Sequence, residues 1–196
     1  MHQRARGLLV RDELGLDKTE VRLAPHDGSW ILLGFEECTA VRVLLGELAL
    51  DVIHVGSTAV PGLEAKPILD IVASVGDRVP IDDVVAALEA GGAYTYEGNK
   101  GDDGGLLFVR GPGSFRHVHV HVVGRSSRAW IDYQRFHTLL VNDTAARARY
   151  QSVKRELAAR FPRDRQRYTE AKGAVIQELL ADDGSVDGRA AATQGD

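Results

Sequence analysis

A single cysteine, Cys38, stands among 196 residues. One thiol forms no intrachain disulfide, and it fits neither a thiolate zinc site nor a secreted disulfide scaffold, so a reducing cytoplasm is the expected location. Positive charge is not in excess: 24 Lys and Arg against 28 Asp and Glu leave a formal charge of −4. That balance argues against a protein that coats nucleic acid through a generally basic surface. Long apolar runs are also missing. The patch Gly7 to Val10 is cut by Arg11-Asp12-Glu13, well short of a signal h-region or a membrane span, so no membrane partner is expected. No internal repeat or low-complexity linker divides the chain, and its length suits one domain with a full core.

Residues 1–18 mix charge with small apolar residues and read as an N-terminal arm or an extra short helix. Residues 182–196 are too poor in large apolar residues to bury themselves and read as a disordered tail. Between them, 19–181 reads as one compact α/β (α+β) unit. Trp30, Leu33, Val41, Leu44, Leu45 and Leu48 form a helical stripe behind the cap candidates Asp27 and Ser29, and Leu50 to Val55 follows as a strand. Ile68 to Val75 is apolar except near Asp70, the pattern of a strand covered on both faces. A helix opened by Asp82-Asp83 and stopped by Gly91-Gly92 leads to strands at Tyr94 to Glu97 and Leu106 to Arg110. Gly111-Pro112-Gly113-Ser114 then turns the chain into a period-two strand from Phe115 to Val123, and helices fill the remainder.

The stretch His54-Val55-Gly56-Ser57-Thr58-Ala59-Val60-Pro61-Gly62-Leu63-Glu64-Ala65-Lys66-Pro67-Ile68-Leu69-Asp70-Ile71 joins two strands through a small-residue turn. Glycine lets backbone approach a phosphate closely, and Ser57 with neighbouring amides, Thr58 included, can donate to its oxygens. Asp70 can hold a divalent cation bridging the same phosphates. This is phosphoryl- or nucleotidyl-transfer geometry; the plainer alternative is a tight turn beside a buried, paired carboxylate.

The chain resembles the GrpB family over roughly residues 20–181. The resemblance is carried by Gly56 to Leu63, by Ala65-Lys66-Pro67-Ile68-Leu69-Asp70-Ile71, by His117-Val118-His119-Val120-His121 and by Tyr168-Thr169-Glu170-Ala171-Lys172. It implies a nucleotidyltransferase-like mixed β-sheet flanked by helices, with a C-terminal helical segment and a pocket at the Gly-Ser turn. It also implies that similar domains occur alone or fused to dephospho-coenzyme A kinase. Fold likeness of this kind supplies an architecture rather than a reaction. Two departures stand out. Nucleotidyltransferases pair carboxylates two residues apart on a strand, but Ile68 and Val72 flank Asp70 at that spacing. Ile53 stands where relatives often carry an acid, and Phe136-His137-Thr138 replaces a more usual Phe-Arg-Asp.

His117, His119 and His121 share one strand face and Val118, Val120 and Val122 the other. Same-face neighbours lie ~7 Å apart, too far for three to meet one zinc, whereas two of them with Asp70 can. The alternative is neutral hydrogen-bond partners of Asp70. From Arg147 to Arg167 the chain is locally basic, and the stripe Ala146, Tyr150, Val153, Leu157, Phe161 flanked by Arg147 and Lys154 reads as a solvated amphipathic helix. Lys172 is different: it falls on the inward stripe of the last helix and needs an anion, expected to be Asp70 or a ligand phosphate. Lys66 is a second candidate phosphate ligand, although a loop lysine is by default solvated.

The leading expectation is therefore a pocket for a nucleotide or other phosphorylated small molecule, with Mg2+ as a cofactor. Asp70, His117 and His119 are its catalytic candidates, Gly56, Ser57, Thr58, Lys66 and Lys172 its phosphate ligands, and Asp70, His119 and His121 its metal ligands. A catalytically silent ligand- or partner-binding domain and a transition-metal hydrolase on the histidine strand are the rival readings. The oligomeric state is left open.

Overall fold

The computed structural model describes residues 14–101 and 105–183. The expected tail from Gly184 on, and the expected arm up to Glu13, lie outside the described residues. In chain order the elements are β1 (Leu16–Asp17), α1 (Ser29–Leu45), β2 (Ala49–Val55), β3 (Leu69–Val75), α2 (Ile81–Glu89), β4 (Thr95–Asn99), β5 (Leu106–Arg110), β6 (Phe115–Arg116), β7 (Val118–Gly124), α3 (Arg128–Asn142), α4 (Thr144–Arg160) and α5 (Arg165–Asp182). Five strands form a mixed sheet in the order β2-β3-β7-β5-β4, in which only β3 and β7 run parallel. The mixed sheet flanked by helices, implied by the family resemblance, is thus the architecture observed.

The apolar run around Asp70 forms β3, an interior strand between β2 and the middle strand β7, with both faces covered. Leu69, Ile71, Ala73 and Val75 pack with Val118, Val120 and Val122 of β7 beneath α1 and α2, through Trp30, Val41, Leu45, Val84 and Leu88. On the opposite face Val72 meets Val55, Val123, Ala129 and Trp130. Burying each such side chain contributes roughly 1.5–3 kcal/mol, so this strand is the least replaceable part of the sheet.

The helices on the second face are separated by caps the sequence supplies. Ser127 accepts the Trp130 amide at the start of α3, Asp143 accepts Ala145 and Ala146 at α4, and Asp164 accepts Arg167 at α5. Phe136, Leu139, Leu140, Tyr150, Leu179 and Leu180 weld the three helices to one another and to Val60 and Leu63, just beyond the Gly-Ser turn. The turn is therefore clamped between the sheet and this helical layer.

Two local expectations differ from the structure. The strand from Phe115 to Val123 is broken at His117: β6 leaves the main sheet to pair with β1, while β7 begins at Val118. His117 keeps its backbone in the main sheet by donating to Arg110 O and accepting from Leu69 N. Residues 14–18, read as part of an arm, hold Leu14 and Leu16 buried and the strand β1. The pairing of β1 lies too far along the chain for local periodicity to reveal.

Candidate functional site

On the sheet face beneath α3, α4 and α5 lies a cavity of about 670 Å3. The sheet contributes Asp70, His119 and His121, the turn contributes Gly56, Ser57 and Thr58, and the helices add Lys154, Arg165 and Lys172. Asp70 and His119 are register partners on the parallel strands β3 and β7. Side-chain alternation puts both on the cavity face, and His121 two residues on joins them.

Gly56 opens the turn at φ +72°, where a side chain is strained, and a Cβ there would stand 2.7 Å from Asp70 Oδ2. Only glycine lets this backbone lie against the carboxylate. Ser57 follows, starting a short 3-10 turn. Its Oγ accepts a hydrogen bond from Lys154 Nζ at 2.9 Å. Lys154 also donates to Glu64 O and lies over the Tyr150 ring. Thr58 borders the cavity, but its buried hydroxyl is engaged with His54 Nε2 at 2.9 Å and with Ile68 O. The Thr58 side chain thus braces the turn.

Lys154 corrects the reading of α4 as a solvated helix with basic flanks. It is 2% exposed, on the buried stripe Ala146, Tyr150, Lys154, Leu157. That i, i+4, i+8, i+11 spacing is in the sequence, and a lysine inside it was the available signal. The other charges nearby are also spoken for: Arg155 grips both oxygens of Glu64, Arg149 bridges Glu178 and Asp182 on α5, and Arg147 donates to Leu140 O. These cations tie α4 to α3, to α5 and to the loop at Glu64, and do not form an open basic field.

Lys66 is half-buried at the cavity wall, its ammonium 5.2 Å from the Tyr168 ring centroid, and so it is not the solvated loop lysine of the default reading. Lys172 lines the cavity from α5, near enough for its charge to act on Asp70. His117 does not join the site. It is absent from the cavity wall and packs against Gly15, because the bend before β7 turns it toward the β1 side of the sheet. The proposed set Asp70, His117, His119 is therefore reduced to Asp70 and His119.

Asp70 Oδ1 accepts from His119 Nδ1 at 3.1 Å, and His119 Nε2 accepts from Arg165 Nη2 at 2.9 Å. Burial works to raise the Asp70 pKa, but the His119 hydrogen bond and the charges of His119, Lys172 and His121 outweigh it and hold the carboxyl well below its usual range. Burial lowers the pKa of His119 despite Asp70. Burial, reinforced by the charge of Lys172, brings both Lys66 and Lys154 down to about 7. Arg165 is lowered by burial too, against the pull of Asp70.

Among the described residues, the candidate ligands do not build a metal centre. A ring nitrogen must offer its lone pair to a metal, and both nitrogens of His119 are already engaged. The centroids of His119 and His121 lie 6.5 Å apart. The positions flanking Asp70 at two-residue spacing, Ile68 and Val72, are buried hydrocarbon. Among the described residues no three His, Cys, Asp or Glu converge on a point that could hold an ion. The expected metal set Asp70, His119, His121 is corrected accordingly: these side chains do not converge on one ion.

The site is a cation-rich pocket, partly open to solvent, on one face of a mixed β-sheet. The chain belongs to the GrpB family, whose pattern, described as GrpB protein, matches residues 20–182. A UPF0157 protein of Streptomyces coelicolor is 40% identical over 162 residues, 83% of each chain. A UPF0157 protein of Halalkalibacterium halodurans is 37% identical over 86% of this chain and 85% of its own. The crystal structure of the conserved protein GrpB from Enterococcus faecalis superposes with a TM-score of 0.69 at 28% identity, over 82% of this chain and 98% of that one. A dephospho-CoA kinase of Mycolicibacterium paratuberculosis is 30% identical over 79% of this chain, a match spanning 44% of that protein. No helix among the described residues is long and apolar enough to cross a membrane.

Proposed function

We propose that the cavity binds a small phosphorylated ligand, a nucleotide or a related phosphate ester, with its anionic end at the Gly56-Ser57 turn. The observation that carries this reading is charge: Lys66, Lys154, Arg165 and Lys172 converge on a pocket whose wall holds Asp70 and Asp132 as its acids. Crowded ammonium groups repel one another, which is part of why Lys66 and Lys154 have lowered pKa values. An anion arriving among them removes that repulsion. Lys66, Arg165 and Lys172 supply charge to phosphate oxygens, and Lys154, bonded to Ser57, aims the hydroxyl. The far wall, with Leu107, Tyr133, Phe136 and Ile176, suits an organic group of modest polarity.

Binding here works through cations and backbone and not through a carboxylate-held metal, so a ligand-binding domain without transferase activity is the second reading, favoured by buried Val72 where a second acid would stand. Dephospho-coenzyme A, named by a relative of which the match spans 44%, is one of the compounds to try. The test is a thermal-shift screen of nucleotides, coenzyme A precursors and inorganic pyrophosphate with and without magnesium, followed by calorimetry. A bound ligand raises the melting temperature. Lys172→Met is expected to keep the fold while weakening affinity and flattening its dependence on salt. If no phosphorylated compound shifts the transition, or Lys172→Met binds at full strength, the reading fails.

A further inference from the structure

The contacts along Arg165, His119 and Asp70 determine where a proton sits. A guanidinium has donors and no acceptor, so the 2.9 Å contact from Arg165 Nη2 is a donation into the lone pair of His119 Nε2. The ring proton is then on Nδ1, from which it is donated to Asp70 Oδ1 at 3.1 Å. His119 is held as the neutral Nδ1–H tautomer, backed by a carboxylate, with its basic nitrogen at the cavity wall. That arrangement equips an imidazole to act as a general base. What occupies the base is Arg165, itself a cavity residue at the first position of α5. A neutral ring nitrogen is a poor partner for a guanidinium beside a phosphate, which offers full charge and two oxygens in the matching geometry.

We propose that Arg165 is an anion-operated cap on a His119–Asp70 general base. An anionic ligand draws the guanidinium onto its own oxygens, and the uncovered Nε2 accepts the proton of a water molecule or of a ligand hydroxyl. The electron pair of the broken O–H bond stays on that oxygen, which becomes the nucleophile. Asp70 stabilises the imidazolium through the Nδ1–H bond. The groups acting on His119 are Asp70, which favours its protonation, and Arg165 and His121, which oppose it; moving Arg165 away removes one opponent as the base is needed. His119 is thus the residue that touches the reacting proton, and Arg165 and Asp70 position it. The inference rests on the phosphate reading above.

Nitrogen-15 NMR of the histidine rings, in the full-length protein, reads the tautomer directly. Free protein should show His119 with its proton on Nδ1, and an Nε2–H tautomer would overturn the proposal. Arg165→Met should shift the His119 Nε2 resonance toward that of an unbonded imidazole, and saturating inorganic pyrophosphate should shift wild type the same way. Carbethoxylation, which requires a free ring lone pair, gives a second readout with His117, outside the cavity, as internal reference. His119 should react about tenfold more slowly than its Arg165→Met counterpart, as the loss of a charge-assisted hydrogen bond implies. An unchanged rate in Arg165→Met sinks the cap. If neither pyrophosphate nor any phosphorylated compound of the thermal-shift screen binds, the phosphate reading fails; if an anion binds and the Nε2 resonance stays put, the cap alone fails.

Discussion

At the scale of single residues, the two ammonium groups near pH 7 make the site sensitive to protons. Lys66 and Lys154 are brought to about 7 by burial and by the charge of Lys172, whereas an unfolded lysine titrates near its ordinary value of about 10.4. Between those limits the unfolded chain binds more protons than the folded one, so these groups make the empty protein more stable as pH rises through that window. Anion binding works in the opposite direction, because phosphate oxygens favour the charged lysines. Affinity for pyrophosphate should therefore be greatest below about pH 7 and fall above it, with net proton uptake on binding. Calorimetry at one pH in buffers of different ionisation enthalpy measures that uptake, and proton release would contradict the assignment. The turn makes a second residue-scale prediction. Gly56→Ala combines a strained φ with a collision on Asp70, whereas Gly62, at φ +79°, has open space around its would-be Cβ. Both alanines should destabilise, by more than about 1 kcal/mol for strain alone, and Gly56→Ala should cost more in urea melts. Equal losses would mean that the turn does not press on the carboxylate.

At the scale of elements, α5 supplies one wall of the cavity. Arg165, Tyr168, Thr169, Lys172, Gly173 and Ile176 all line the cavity, a spacing of three and four that is one helix face. The inward stripe containing Lys172 was legible because the spacing is local. Lys154 was harder to place: its spacing with Ala146, Tyr150 and Leu157 marks an inward position, but the Ser57 it meets lies 97 positions away and no local window reveals that partner. The doubly covered strand β3 was legible from its apolar run, and the face shared by His119 and His121 from alternation. The departure of His117 was not, because it depends on β6 finding a partner nearly a hundred residues earlier in the chain. The start of α5 offers its own test. Asp164 accepts the Arg167 amide, and Asp164→Ala should cost about 1 kcal/mol of stability. Because Arg165 is the next residue, pyrophosphate affinity should fall as well. Intact affinity alongside the stability loss would show that the first turn of α5 is not needed to present its cations.

At the scale of the whole molecule, the face away from the cavity is held by a charge network of its own. Glu37 on α1 is fully buried, accepting from the Tyr94 hydroxyl at 2.5 Å and from Arg110 of β5 at 2.6 Å. Burial raises its pKa, and Arg110 and Tyr94 only partly offset this. The contact ties the helix over one half of the sheet to a strand in the other half. Glu37→Ala leaves Arg110 facing a void without its partner and should cost about 3–5 kcal/mol, with Glu37→Gln milder because it keeps the Tyr94 bond. Since α1 and the cavity sit on opposite faces of the same strands, the loss should appear as one lowered transition by near-UV circular dichroism and by ligand protection alike. Two separated transitions would show that the faces unfold independently.

The parallel pairing of β3 with β7 also sets a timetable for synthesis. Asp70 meets His119 across 49 positions, and nothing between them in the chain takes the place of β7 beside β3. A nascent chain that has reached Arg116 carries β3, the most fully buried of the described strands, with one of its edges unpaired, which is a template for pairing with other chains. The interval is long because the intervening β4 and β5 join the sheet on the far side of β7. Ribosome-bound chains halted before Val118 should be the forms that most need protection from aggregation, and those halted after Gly124 should need far less.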